Sequence, residues 1–331
     1  MNKINTKKPI LVTGVAGFIG FHIAKRLLEM GMTVIGIDNL NDYYDPMLKV
    51  ARLGILQDYE TFRFTHGDLA DLVSLEQLFY EHEFDYVVHL AAQVGVRYPI
   101  EAPVSYSKSN LVGMTHILEC CRHHNTKHLL FASSSSVYGT SNTMPLAETA
   151  PTDEPVSLYA ATKKANEVMA YSYSKLYQLP ITGMRFFTVY GPWNRPDMAL
   201  FKFVEAIDAE QEVTLYNYGK MMRDFTYIDD VVDVISSLMV NRLNTDKVVP
   251  FELYNIGSNN PQTLFDFISV IENTMGEKAK LNLHPIQAGD VQDRWADVTK
   301  LKSNGHPLPK TSLQEGIQSF VDWYHSYTHD A

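Results

Sequence analysis

Three glycines at intervals of three, in Gly14-Val15-Ala16-Gly17-Phe18-Ile19-Gly20, stand between an apolar run at 9–12 and the helix-spaced apolar residues Phe21, Ile23, Ala24, Leu27 and Leu28. A turn this poor in side chains lets a strand pass directly into a helix, and it limits the fold more than any other short pattern in the chain. Gly31 ends the helical spacing, and Thr33-Val34-Ile35-Gly36-Ile37 makes a second apolar strand that closes at Asp38. Strand, turn, helix and strand within about thirty residues form one βαβ unit. Strand patterns at 62–65, 86–90, 128–132 and 181–187 continue the alternation, separated by helical patterns at 72–81, 104–124 and 158–179. Unbroken apolar strands between helices predict an α/β fold with a doubly wound parallel sheet covered on both faces.

After Phe187 the regularity gives way to Pro192, Trp193, Arg195 and Pro196. The expected division is a Rossmann-type domain over 1–187, to which 230–258 return, and a smaller mixed α/β domain over 188–331 that holds the substrate. A chain of 331 residues with 45% apolar and 20% charged side chains can supply both cores. Its 28 basic and 38 acidic residues leave a net charge of −10 without a long run of one sign. Nucleic acid is therefore excluded as the main partner, although one local phosphate pocket fits an acidic whole. Cys120 and Cys121 are neighbours in a helical pattern and cannot bridge each other, so no disulfide framework is expected. No apolar stretch approaches the ~18 residues of a membrane span. Met1 to Lys8 is polar and lysine-rich, without the apolar core of a secretory signal. The expectation is a cytoplasmic protein with no membrane partner.

The glycine turn has the geometry for a pyrophosphate, since bare backbone can approach it and the helix N-terminus attracts its charge. The same glycines would also serve as turn and packing residues. Asp38, 18 residues after Gly20, favours the first reading: a carboxylate at the end of the second strand accepts both ribose hydroxyls and repels a 2′-phosphate, selecting NAD over NADP. Asp68, after the third strand, could accept from an adenine amino group or cap a helix. Leu90-Ala91-Ala92 ends the fourth strand at the same sheet edge, where small residues admit a nicotinamide ribose or pack a tight turn. The fifth strand ends in Ser133-Ser134-Ser135-Ser136, and 25 residues after Ser134 comes Tyr159-Ala160-Ala161-Thr162-Lys163. Residues four apart share a helix face, so the Lys163 ammonium can lower the phenol of Tyr159 from its reference of ~10 and make it a general acid/base for an alcohol. Two further Tyr-x-x-x-Lys matches, Tyr171/Lys175 and Tyr216/Lys220, do not follow the serine strand, and Tyr171/Lys175 is read as a solvated helix face. His116, Cys120 and His124 could share a helix face, but no carboxylate or second cysteine pair completes a metal set, and no metal is expected.

Together these residues resemble the extended short-chain dehydrogenase/reductases, defined by Gly-x-x-Gly-x-x-Gly, a serine or threonine after the fifth strand, and Tyr-x-x-x-Lys. Within them the chain is most similar to the nucleotide-sugar 4-epimerases of the UDP-glucuronate branch. The segments that carry the likeness are Asp38-Asn39-Leu40-Asn41-Asp42-Tyr43-Tyr44-Asp45, Ala92-Gln93-Val94-Gly95-Val96-Arg97-Tyr98, Phe186-Phe187-Thr188-Val189-Tyr190-Gly191-Pro192-Trp193, Arg195-Pro196-Asp197-Met198-Ala199 and the stretch from Tyr216 to Asp230. Asn194 departs from the pattern, which has glycine there.

The resemblance implies a tightly bound NAD, regenerated in each turnover, and a UDP-sugar substrate oxidised at C4 to a 4-keto sugar that turns over and is reduced on its other face. Ser134, Tyr159 and Lys163 would be catalytic. The cofactor would be met by Gly14, Gly17, Phe18, Ile19, Gly20, Asp38, Asn39, Asp68 and Leu69, and further by Leu90, Ala91, Ala92, Asn110, Tyr159, Lys163 and Phe186. The substrate would be met by Ser134, Ser135, Ser136, Thr188, Arg195, Tyr216, Arg223 and Asp290. Arg195 could hold a uronate carboxylate or pair locally with Asp197, and Arg223 could bind diphosphate or pair with Asp224 or Asp230. Ser135 and Ser136 stand where 4,6-dehydratases of this superfamily carry an aspartate and a glutamate, which disfavours dehydration and decarboxylation. A UDP-glucose or N-acetylhexosamine 4-epimerase is the neighbouring alternative, and a non-catalytic NAD sensor would have little use for Tyr159 and Lys163. A homodimer is expected.

Overall fold

The computed structural model describes residues 7–95, 102–141, 143–241, 248–286 and 293–329. The chain divides into two compact units, one of Met1–Thr140, Pro151–Phe186 and Val232–Tyr254, the other of Ser141–Ala150, Phe187–Val231 and Asn255–Ala331. Segment 141–150, placed in the first domain by sequence, thus belongs to the second unit. Its backbone pairs there: Leu146 donates to the Trp295 carbonyl at 3.0 Å and accepts from Asp297 at 2.8 Å.

The first unit is built on β1 (Ile10–Thr13), β2 (Val34–Asp38), β3 (Phe62–His66), β4 (Tyr86–His89), β5 (His128–Ser134) and β6 (Ile181–Phe186), with β10 (Phe251–Ile256) at one edge. The order is β10-β6-β5-β4-β1-β2-β3, so the direction of winding reverses between β1 and β4. The five pairings from β3 to β6 are parallel, with Thr13 level with both Ile37 and His89, and Ser134 level with Phe186. Ligands of open α/β sheets bind at the carboxyl ends of the strands, where the order reverses. Helices α1 (Phe18–Glu29), α2 (Pro46–Gln57), α3 (Leu72–His82) and α6 (Leu158–Tyr177) follow the first, second, third and fifth strands. Leu11, Ile35, Val87, Leu129 and Ile181 from the strands meet Leu78, Phe79, Ile117 and Ala170 from the helices in one buried cluster.

The helix expected over 104–124 is three pieces: α4 (Pro103–Tyr106), a π-helical stretch over Ser107–Val112, and α5 (Gly113–His123). The wider coil aims Asn110 inward. Its amide accepts from the Gln93 N–H at 2.8 Å, donates to the Gln93 carbonyl at 3.0 Å and reaches Thr162 Oγ1 at 3.0 Å. Single π turns of this kind concentrate at functional sites.

In the second unit, β7 (Thr188–Tyr190), β9 (Met222–Tyr227), β11 (Pro261–Thr263) and β13 (Asp293–Arg294) form a sheet around β9, and β8 (Glu212–Leu215) pairs with β12 (Lys280–Leu283). Helices α7 (Ala199–Asp208), α9 (Leu264–Met275) and α11 (Leu313–His329) close a core in which Phe225 stacks on Phe267 at 3.9 Å between ring centres. The chain also contains α8 (Ile228–Val240) and α10 (Thr299–Ser303). Among the described residues no helix is long and apolar enough to cross a membrane.

Candidate active site

At the end of β1 the backbone takes a left-handed turn at Gly14, φ 69°, close enough to β4 that a Cβ there would lie 2.7 Å from the Ala91 nitrogen. A Cβ on Gly20 would fall 2.0 Å from the Gly14 carbonyl oxygen, and one on Gly17 3.0 Å from the same atom. Only glycine fits this turn. Gly17 precedes α1 without a capping side chain, and no carboxylate occupies the first turn, so the helix presents an uncompensated positive end bordered by Phe18 and Ile19. Asp38 closes the cradle. Its carboxylate accepts from the Ala16 N–H at 3.1 Å and the Leu40 N–H at 2.9 Å. A carboxylate has about four acceptor sites, so ribose hydroxyls can share it. A glycine cradle, a positive helix end and an oriented acid fit a dinucleotide.

Thr13, which the sequence reading passed over, joins this turn to β4. Its hydroxyl accepts from the N–H groups of Leu90 at 3.2 Å and Ala91 at 3.1 Å and pairs with His89 Nδ1 at 2.8 Å. The buried His89 is neutral at ordinary pH. Burial, reinforced by the nearby charge of Lys163, pushes its pKa down to about 3. The Thr13 position directly before Gly14 was the available signal. Asp68 is engaged from outside the cradle: Lys108 donates to Oδ2 at 2.8 Å and the Ala70 N–H to Oδ1 at 3.0 Å. Burial raises the Asp68 pKa, but these bonds, with one from Asn39, bring it below the ordinary value. Leu69 offers its carbonyl to His116 Nδ1 at 2.8 Å. His116 thus has a structural partner, and no group of three metal-ligating side chains occurs among the described residues.

The catalytic candidates stand at the adjoining strand ends. Ser134 terminates β5 and accepts from the Ser136 N–H at 3.1 Å, beginning a 3-10 turn over Ser135–Tyr138. Ser157 caps α6 by accepting from the Ala160 N–H at 3.1 Å, which fixes Tyr159 in the first turn of that helix. The Tyr106 ring meets the Tyr159 ring edge-on at 6.4 Å, and its own hydroxyl is tied to the Val94 and Gly95 carbonyls at 2.6 and 2.8 Å. One turn along, the Lys163 ammonium lies 5.9 Å from the centre of the Tyr159 ring and donates to the Ala132 carbonyl at 2.8 Å. Burial lowers the Lys163 pKa to about 8. A further turn brings Glu167, whose carboxylate holds the Ser133 hydroxyl and Arg185. The series Tyr159, Lys163, Glu167 at four-residue spacing was the overlooked sign of that pair. Phe186 ends β6 nearby, nearly buried.

The Lys163 value sets a pH dependence. Above about pH 8 the ammonium is lost, so turnover is expected to fall along an alkaline limb with a midpoint near pH 8; a flat profile to pH 9.5 would overturn this. The stability sign is opposite. Because the folded pKa lies below the unfolded ~10.4, the unfolded chain binds more protons between these values, and the Lys163 contribution to stability improves as pH rises from 8 toward 10. The melting-temperature advantage of Lys163→Met over the parent should shrink across that range.

In the second unit, Thr188 opens β7 level with Phe225 of β9. Arg195 forms the local pair considered from sequence: Nε and Nη2 donate to the two carboxylate oxygens of Asp197, both at 2.9 Å. The left-handed residue of this loop is Trp193, φ 62°, and not Asn194, so the glycine usual at 194 is not needed for the backbone. Trp193 rests on Trp323 at 5.2 Å and Tyr327 at 5.4 Å. Tyr216 lies 6.0 Å from the His284 ring. Asp224 turns away from Arg223 and takes the N–H groups of Ser258, Asn259 and Ala296 at 2.7, 3.0 and 2.9 Å. Asp230 accepts from the N–H groups of Lys310 and Thr311. β13 sets Arg294 beside Arg223 in parallel register, two guanidinium groups on one sheet face. Arg294 was not singled out from sequence, because its neighbour lies 71 positions away. Asp290 lies outside the described residues, as do Arg97 and Tyr98.

Residues 10–257 match the NAD dependent epimerase/dehydratase family, and the chain belongs to that family. It is 48% identical over 330 residues to Protein CapI of Staphylococcus aureus, covering 96% of this chain and 98% of that one. It is 44% identical over 327 residues to a probable UDP-glucuronate 4-epimerase of Rhizobium meliloti, covering 95% of this chain and 96% of that protein. Among solved structures, the UDP-glucuronic acid 4-epimerase of Bacillus cereus in complex with UDP-glucuronic acid and NAD superposes with a TM-score of 0.89 at 31% identity, over 96% of this chain and 99% of that one.

Proposed function

We infer that the protein interconverts UDP-glucuronate and UDP-galacturonate by epimerisation at C4, with NAD as its cofactor. The observation that carries this is Tyr159 and Lys163 on one face of α6, beside Ser134, in the unit that holds the glycine cradle and Asp38; the similarity to UDP-glucuronate 4-epimerases supports it. NAD, held by the cradle, Asp38 and Lys163, supplies a reversible acceptor for the hydrogen of C4. Tyr159 takes the proton of the 4-hydroxyl and returns it to the same oxygen when C4 is reduced on its other face. Ser134 donates to the same oxygen, and the Lys163 charge favours the ionised phenol. Arg223 takes the diphosphate, whose negative charge suits a guanidinium. No carboxylic acid stands at Ser135 or Ser136 to drive water elimination.

Uronate recognition rests on Arg195, with Thr188 of the same unit as a hydroxyl donor. Asp197 fixes the plane of the guanidinium, and a held carboxylate is kept from the geometry in which a 4-keto uronate loses carbon dioxide. Incubating the purified protein with UDP-glucuronate and no added NAD should yield UDP-galacturonate by NMR. Arg195→Ala should lower kcat/KM for UDP-glucuronate by roughly ten- to hundredfold, the size of a lost charge-assisted bond, with little effect on any UDP-glucose turnover. Equal loss on both sugars, or a parent that prefers UDP-glucose, would transfer the assignment to the galactose-type epimerases.

The homodimer is proposed from apolar residues left exposed at helical spacing on α6, Val168, Tyr171 and Leu176 at 58, 50 and 68%, with Val104 at 76% on α4. A one-chain mass by light scattering would exclude it.

A further inference from the structure

A positively charged cluster lies behind the glycine turn and has no part in the mechanism above. Asp45 caps α2 by accepting from the Met47 N–H at 2.9 Å, and Pro46 starts the helix, which sets Lys49 and Arg52 three apart on one face. Both cations are buried, Arg52 completely. Arg52 Nη1 donates to the Ala16 carbonyl at 2.7 Å and to the Tyr44 hydroxyl at 2.8 Å. Lys49 Nζ donates to the Asn41 carbonyl and side chain at 2.5 and 2.8 Å. Both cations lie over the Tyr44 ring, at 4.7 Å for Lys49 and 5.6 Å for Arg52. Burying a guanidinium is costly unless its bonds serve the fold or a ligand.

The residue that Arg52 grips lies inside the Gly14–Gly20 turn. The Ala16 N–H is taken by Asp38 and the Ala16 carbonyl by Arg52, so this link of the turn is held from both sides. A peptide carbonyl free to swing toward the helix N-terminus would oppose an anion there; one bonded backward to Arg52 cannot. The buried charge also adds to the positive end of α1.

We propose that Arg52 is a positioning residue for the cofactor diphosphate: it holds the Ala16–Gly17 peptide in the orientation an anion requires and strengthens the field at the turn, so that the site discriminates nucleoside diphosphate from nucleoside. The inference rests on the dinucleotide reading of the first unit and is independent of the sugar substrate.

The test uses the full-length protein with its bound NAD, read by chromatography of the ultrafiltrate. The concentrations of ADP and of adenosine that displace half of the NAD are compared, because their ratio cancels any change in NAD affinity itself. In Arg52→Met the preference for ADP over adenosine should fall about 10- to 100-fold, the size of a bond to a charged group, while adenosine alone, relative to NAD, displaces more readily. Arg52→Lys keeps the charge but cannot reach both partners, and should retain part of the preference; it decides the matter if the methionine variant does not fold. Tyr44→Phe, which keeps the ring, should change the preference less than either. An unchanged ratio in the Arg52 variants overturns the proposal. A purified parent that carries no NAD would instead remove the dinucleotide reading on which it stands.

Discussion

Tyr159→Phe is expected to lower kcat by ~10²-fold or more while NAD stays bound at the parental level. The variant loses only the titrating hydroxyl. The ring keeps its edge-on contact with Tyr106, which is anchored independently on the Val94 and Gly95 carbonyls. The helix start is equally insulated, since the Ser157 cap bonds the Ala160 N–H and not Tyr159. Cofactor content, measured by release on denaturation, then separates a chemical defect from a binding defect. Near-parental turnover in this variant would end the assignment of Tyr159 as the acid/base.

The largest stability effect is expected at the ion pair beneath that site. Arg185 and Glu167 are each only 3% exposed, and Arg185 Nε and Nη2 bond the two carboxylate oxygens of Glu167 at 2.8 Å. Ser133 Oγ donates to Glu167 Oε1 at 2.6 Å, and the guanidinium lies 4.8 Å from the Tyr138 ring centre. Burial works against the Arg185 charge, and its bonds to Glu167 more than restore it. Removing one partner leaves the other charge buried without its counter-ion, so Arg185→Met or Glu167→Leu should each cost about 3–5 kcal/mol by urea midpoint. The double variant removes both charges and should cost less than either single change. Additive losses would show that the two residues act separately. Because β5, β6 and α6 all meet at this pair, Ser134 and Tyr159 should lose their alignment in the single variants.

Much of the first unit was legible in the residue order. The glycine turn, the 18-residue step to Asp38 and the alternation of apolar strands with helices predict the parallel sheet, since each depends on backbone sterics and periodicities within a few turns of chain. Tyr159 and Lys163 were legible for the same reason, because four residues along a helix return to one face. The π turn at Ser107–Val112 was not legible. It follows from the pull of Asn110 on Gln93 and Thr162, 17 and 52 positions away. Nor was the excursion of 141–150 into the second unit, where the bonds of Leu146 to Trp295 and Asp297 hold it.

The sequence by itself determined the elements, the glycine cradle and the helical face that carries the phenol, because these are local consequences of side-chain size and spacing. Only the tertiary structure decided the partners of the polar and charged side chains: the neutral His89 under Thr13, the Glu167–Arg185 pair, the grip of Arg52 on the Ala16 carbonyl, and the placing of Arg294 beside Arg223. Each joins residues far apart in the sequence, and the free energy of such groups depends on which partners the sheet order brings within reach, a quantity that spacing along the chain does not contain.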